Sequence, residues 1–255
     1  MIALPLHVGE PATAWAAASQ RAETYLAHYL AREFGADPMV QLYFGLRLVC
    51  HSPPPVVGST APLGDAVQID ALVVHRHGFA VIECKSVCEE VRINARGEWT
   101  RTYNGQPMGM PSPVEQARRQ AAALRQILIA NKLRLRDRKL CGLIQGGFKH
   151  CPIDIYVAIS DHGMINPEPG SELHVASVMK SDQVASRVRD MVERHRRAGS
   201  LIASLLRNTH PDDGAYLLTV QELDRIRTLL IELHTPSPSL TPAPPREATP
   251  SPPSR

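Results

Sequence analysis

Apolar positions recur at helical spacing from Ala12 to Phe34, where Leu26, Leu30 and Phe34 share a stripe with Ala27 and Ala31 beside them. Gly35 and Pro38 stop that helix. The period then changes. Val40 to Cys50 (VQLYFGLRLVC) reads as a strand, and the Pro, Gly and Ser-rich run from Ser52 to Gly64 as a loop. Val67 to Val74 (VQIDALVV) and Phe79 to Lys85 (FAVIECK) are β-rich, with His75-Arg76-His77-Gly78 between them, which predicts a hairpin. Both strands are apolar on both faces, so the hairpin belongs in the middle of a sheet.

Further on, the pattern predicts a polar loop from Asn104 to Pro113 and a helix from Ser112-Pro113 to about Leu133, with Ala117, Ala121, Leu124, Ile127 and Leu128 on its apolar face. Cys151 to Ile159 (CPIDIYVAI) reads as a buried strand and Val175 to Val178 as a short one. Helices are expected over Asp182 to Arg197 and Val220 to Leu233. From Thr235 the chain is Pro, Ser and Thr-rich and cannot bury apolar surface, so a disordered tail is expected. The order of elements predicts an α/β fold with a central mixed β-sheet flanked by helices. The organisation read from it is a core over 1–180, a helical extension over 181–234 and the tail over 235–255.

Composition narrows the classes. Hydrophobic residues make up 44% of the 255, enough for a real core, and no apolar run approaches the length of a membrane span. There is no basic segment leading into an apolar one near the N-terminus, so a cytoplasmic protein is expected, with no membrane partner. Cys50, Cys84, Cys88, Cys141 and Cys151 lack the pairing of a disulfide framework or a zinc site and read as free thiols. Phosphate-binding and dinucleotide-binding glycine loops are absent, as is a G-x-S-x-G elbow. The histidines, His75 and His77 on the hairpin turn among them, stand at no metal-binding spacing and read as surface residues.

The chemistry concentrates on Asp70, Glu83 and Lys85. Residues two apart on a strand share a face, so Glu83 and Lys85 project together. Pairing Val74 with Phe79 across the turn sets Asp70 opposite Glu83, where two carboxylates about 5 Å apart repel. Buried in apolar strands, such a pair calls for a counter-charge. One answer is a plain salt bridge from Lys85 to Glu83. The other is a divalent cation on Asp70 and Glu83, with Lys85 stabilising a phosphoryl transition state or orienting the attacking water.

The stretch QIDALVVHRHGFAVIECKS, then GEWT, then SPVEQARRQAAALRQIL, resembles the nuclease-related domain (NERD) family of the PD-(D/E)xK nuclease superfamily. The resemblance runs from about Ser19 to Leu133. It implies a restriction-endonuclease-like core and a metal-dependent nuclease. Asp70 and Glu83 would be the metal ligands, with the Cys84 carbonyl as a further one, and Mg²⁺ the cofactor, with Mn²⁺ able to replace it. Lys85 would be catalytic. Glu23 matches the family's helix Glu and would hold a water or a second metal; on the residues alone it reads equally as a solvent-facing charge. Gln116 matches the Gln after Pro113 and would touch phosphate or Lys85; alone it reads as a first-turn polar residue. Gln120, one turn on, is the weaker candidate. Ile69 stands where the superfamily's Pro would be.

The helix after Pro113 and the segment beyond it carry Arg118, Arg119, Arg125, Lys132, Arg134, Arg136, Arg138 and Lys139. As a group they suit contact with a nucleic-acid backbone; singly each reads as a solvated charge. Arg187, Arg189, Arg194, His195, Arg196 and Arg197 form a second cluster with the same two readings. The expected partner is nucleic acid, with DNA favoured by the resemblance, and the Pro-rich tail could recruit a protein. Two rival readings stand beside the nuclease: a non-catalytic module working with a partner such as a helicase, and a hydrolase of a different phosphate ester.

Overall fold

A computed structural model describes residues 1–49, 66–139, 144–198 and 216–236. The expected 52–64 loop and all but the first residues of the expected tail lie outside these. The elements are β1 (Ile2–Leu4), α1 (Ala14–Phe34), β2 (Val40–Val49), β3 (Ala66–His75), β4 (Gly78–Lys85), β5 (Glu90–Ile93), β6 (Trp99–Tyr103), β7 (Gln106–Met110), α2 (Pro113–Ala130), α3 (Lys132–Leu135), β8 (Arg138–Lys139), β9 (Ile144–Gln145), β10 (Ile153–Ile159), β11 (Met164–Pro167), α4 (Glu172–Val175), β12 (Val178–Lys180), α5 (Ser181–Ala198) and α6 (Val220–Leu233).

The main sheet runs β1-β2-β3-β4-β10-β12. Its β2-β3-β4 part is antiparallel, and β10 lies parallel to both β4 and β12. It is the expected mixed sheet, with the hairpin at its centre, and the turn rungs are Val74–Phe79 and His75–Gly78 as the spacing predicts. Helices α1 and α5 cover one face through Leu26, Leu30, Val184, Val188 and Met191. Helices α2 and α6 cover the other through Leu124, Leu128, Ile226 and Leu230. Caps set the helix starts: Ser112 accepts the Glu115 amide at α2, and Thr219 and Glu222 form a reciprocal capping box at α6.

Three expectations are corrected. Asn104 to Pro113 is not a loop: β6 and β7 form a hairpin whose two-residue turn is Asn104-Gly105, both at positive φ. Asn-Gly is the strongest short hairpin signal, and its twist matches that of the flanking strands. Glu89 pins the turn, its carboxylate accepting the Asn104 and Gly105 amides at 2.6 and 3.1 Å. The resulting second sheet, β11-β5-β6-β7, packs on the α2 side through Val91, Ile93 and Trp99. Next, Val175 to Val178 straddles the end of α4 and the start of β12 rather than forming one strand. Lastly, the α2 helix stops at Ala130, and Asn131 leads into the short α3.

The turn histidines are also not surface residues. His75 is 2% exposed, because α5 and the Tyr216–Leu218 segment cover the turn. The His77 amide donates to His75 Nδ1 at 3.3 Å, so the proton sits on Nε2, which donates to His195 Nδ1 at 3.2 Å. His195 Nε2 in turn reaches Asp154 at 2.7 Å. Burial, then the neighbouring His195, holds the His75 pKa down at about 3. As pH falls, the unfolded chain takes up this proton near pH 6.5, whereas the folded chain resists to about pH 3. Its stability is therefore intact above pH 6.5 and drains between those limits, by about 2 kcal/mol at pH 5. In urea unfolding at pH 8 and pH 5, His75→Asn is expected to lose less on acidification than wild type by that amount. Equal losses would show that His75 titrates normally.

Candidate functional site

The site lies where the main sheet forks. The rungs joining β3 to β4 end at Ala71–Ile82. Beyond them β3 stays with β2, and β4 stays with β10 as far as Lys85–Ile159. Asp70 and Glu83 are the next residues on each side of the gap. The side-chain alternation of both β2 and β3 breaks at this level. Phe44 and Ala71 face the α1 side, yet Leu46 and Ile69 both face the α2 side, as Tyr43 and Leu72 already do. Gly45, at φ +62°, and Asp70 sit between. The kink needs glycine: a Cβ at Gly45 would meet no atom within 4 Å, so Gly45→Ala should cost only the left-handed backbone penalty, about 1–2 kcal/mol. Urea unfolding would measure it, and a neutral substitution would mean the kink is not held.

Three elements converge on the fork. From β4, Glu83 points to the α2 side and is 1% exposed. Lys85, half-buried on the same face, donates Nζ to Glu83 Oε1 at 2.5 Å and to Gln116 Oε1 at 3.1 Å. From α2, Gln120 donates Nε2 to Glu83 Oε2 at 2.6 Å and to the Gln68 carbonyl at 2.7 Å. Two acceptors fix which end of that amide is nitrogen, and they leave Gln120 Oε1 buried with no partner. Asp70 accepts the Cys84 amide on Oδ2 at 2.8 Å. The contact to Cys84 is thus through its amide, while its thiol turns to the apolar α1 side.

Negative charge is in excess here. Burial first, then Glu83, lifts the Asp70 carboxyl well above the usual range, against the pull of the Cys84 hydrogen bond. Glu23, on α1, is raised in the same way by burial and by Glu83, and Ser19 hydrogen-bonds it. Three carboxylates therefore face one ammonium. Among the described residues no group of three or more His, Cys, Asp or Glu side chains is close enough to hold a metal alone. The donors that remain are hard oxygens: Asp70, Glu83 and the orphaned Gln120 carbonyl. That set suits a cation that keeps water and substrate oxygens among its ligands.

The structure thus brings Asp70, Glu83, Lys85 and Gln116 together with Glu23 beside them. It puts Gln120 closer to Glu83 than Gln116 is, which the sequence reading underrated. The signal was present: Gln116 and Gln120 are i and i+4 on one helix, so they share a face. The basic residues divide. Arg119 is exposed, and Arg118 is exposed but paired with Glu115. Arg125 donates Nη1 to the carbonyls of Phe148, Lys149 and Cys151 at 2.8–3.0 Å, tying down the approach to β10. Arg134 pairs with Glu232, and Arg136 is buried against Glu222. The second cluster is partly tied down too, with Arg189 on Glu33 and Arg194 on Asp154. A cavity of about 420 Å³ on the outer face of the second sheet is lined by Glu90, Arg92 and Glu98 and by none of these site residues. No described helix is long and apolar enough to cross a membrane.

No curated protein and no solved structure matches the chain at a significant level. The sequence profile of the nuclease-related domain does match, over residues 18–159. That span takes in most of α1, the forked hairpin, strands β5 to β7 of the second sheet, α2 and β10, and so every residue placed at the fork. Covering more than half of the chain, it establishes that this protein belongs to the nuclease-related domain (NERD) family.

Proposed function

We propose that the protein is a metal-dependent nuclease that hydrolyses phosphodiester bonds, with DNA favoured as the substrate, at the Asp70–Glu83–Lys85 fork. The observation that carries this reading is a buried carboxylate held on both oxygens, by Lys85 and Gln120, beside a second carboxylate and an unsatisfied amide oxygen. A structural salt bridge needs only Lys85 and Glu83. It gives no reason to bury Asp70 and Glu23 near them, at a cost in both carboxyls. Mg²⁺ or Mn²⁺ held by Asp70 and Glu83 would polarise the scissile phosphate and acidify the attacking water.

The protein's own groups do the rest. The Cys84 amide and Gln120 fix the two carboxylates before substrate arrives, so little reorganisation is needed. Lys85, held by Glu83 and Gln116, presents its ammonium to the charge that develops on the phosphate, or orients the attacking water. Glu23 reaches the fork from the α1 side and can hold a water by hydrogen bonding.

Single-stranded, double-stranded and flapped DNA, and RNA, should be incubated with Mg²⁺ or Mn²⁺ and with EDTA. Cleavage that requires metal is the expected result. A folded protein that binds nucleic acid and cuts none of these would be a non-catalytic module. Cleavage of small phosphoesters alone would point to a different hydrolase.

A further inference from the structure

A ring-and-cation cluster joins α1 to β6, two helical turns from Glu23. The α1 ridge Trp15, Ser19, Glu23 runs at i, i+4 spacing, and Ser19 bonds Glu23. Trp15 is therefore about 12 Å along the helix from Glu23. Opposite it, β6 leaves the site: Trp99 packs with Val87 and Val114, which flank Lys85 and Gln116 in sequence. Strand alternation puts Arg101 and Tyr103 on the face of Trp99. The two walls meet there. The Arg101 guanidinium lies 4.1 Å from the Trp15 ring centroid, and Tyr103 meets Trp15 edge-on at 5.8 Å.

Two features of this cluster point to a ligand. Trp15 and Tyr103 are each 46% exposed, a large apolar outlay on a surface. The Arg101 side chain has no hydrogen bond or ion pair among the described residues, and its Nε is buried without a partner. A guanidinium that has only a cation–π contact takes an oxyanion, and the part of the Trp15 ring that Arg101 leaves exposed takes a flat apolar ring. Both occur side by side in a nucleotide. In a duplex the base faces are stacked on one another, so the nucleotide must be unpaired.

We propose that Trp15, Arg101 and Tyr103 form a subsite for an unpaired nucleotide of the substrate, its base stacked on Trp15 and its phosphate on Arg101. The inference rests on the nuclease reading and specifies it: the strand that reaches the fork is single there, as at an end, a flap or a gap.

Binding in EDTA separates this from catalysis. The probes are a dA 12-mer, an abasic 12-mer of the same charge and a duplex, with an rA 12-mer to compare the sugar. Wild type should hold the dA 12-mer about tenfold tighter than the abasic strand. Trp15→Ala should remove that preference and leave abasic binding unchanged, and Trp15→Phe should restore most of it. Arg101→Gln should weaken both strands and lower the salt slope by about 0.7. The protein has two tryptophans, and Trp99 is 3% exposed, so quenching on dA binding reports Trp15. Equal affinity for dA and abasic strands, or a Trp15→Ala protein that binds dA as wild type does, overturns the subsite alone. A folded wild type that binds no nucleic acid at all overturns the nuclease reading with it.

Discussion

Metal-dependent cleavage is expected to fall about a hundred- to a thousandfold in both Glu83→Gln and Lys85→Ala. The two variants fail for different reasons. Glutamine keeps the shape of Glu83 and one oxygen that can accept from Lys85 or Gln120 but not both, while the charge that would anchor the cation is lost. Alanine at position 85 removes the cation nearest the developing phosphate charge. A preorganised charged group of this kind is worth about 3–4 kcal/mol in the transition state, which is two to three powers of ten in rate. Lys85→Ala also leaves Glu83 buried with only Gln120, so its thermal unfolding must be measured alongside, and the assay run well below the midpoint. Glu83→Gln is the cleaner test. Wild-type rates in both folded variants would place the chemistry elsewhere. Gln120→Ala makes a graded companion: it frees Glu83 Oε2 and removes the orphaned oxygen, and a smaller loss than for Glu83→Gln is expected.

The hairpin was legible because three local signals agreed: a Gly-ended turn, two strands apolar on both faces, and an acidic residue in each at matching register. Sequence spacing set Asp70 opposite Glu83, and the structure keeps that level but opens the sheet there. The opening was not legible in the β3–β4 pair. Its cause is on the other side of β3, at Gly45, which reads as a weak point in a strand and acts as the hinge of a fork. Gln120 was underrated because what matters is helix α2 lying across the face that Glu83 points to, a tertiary fact. The β6–β7 hairpin is a different failure. Asn104-Gly105 is a turn signal in the sequence, and the polar residues around it disguise the hairpin as a loop.

The basic run after Pro113 shows why charge counts mislead. Of that run, Arg134 and Arg136 are committed to α6, and Arg125 to loop carbonyls. Periodicity cannot distinguish these from solvated charges, because their partners lie far off in the chain. Arg101, by contrast, is a single residue in no cluster, and its side chain makes no hydrogen bond or ion pair among the described residues.

Arg136→Ala should destabilise the protein by about 3–5 kcal/mol, the largest expected stability effect of any single change proposed. Arg136 and Glu222 are 4% and 2% exposed and meet at 2.9 Å. Arg136 also donates to the Leu217 carbonyl and lies over the Tyr216 ring. Glu222 accepts the Asp137 amide and closes the α6 capping box through the Thr219 amide. One carboxylate therefore ties α6 to the segment that follows α2. Alanine at 136 would strand that carboxylate in a dry site with two amides and no counter-charge. Arg136→Met with Glu222→Gln removes both charges and keeps an acceptor for one of the two amides, so it should recover to within about 2 kcal/mol of wild type. Urea unfolding of Arg136→Met, Glu222→Gln and the double variant closes the cycle. If Arg136→Ala costs under about 1 kcal/mol, the pair behaves as a surface ion pair and the docking of α6 rests on Leu223, Ile226 and Leu230 alone. Cleavage by the surviving folded fraction should be unaffected in either case, since neither residue touches the fork.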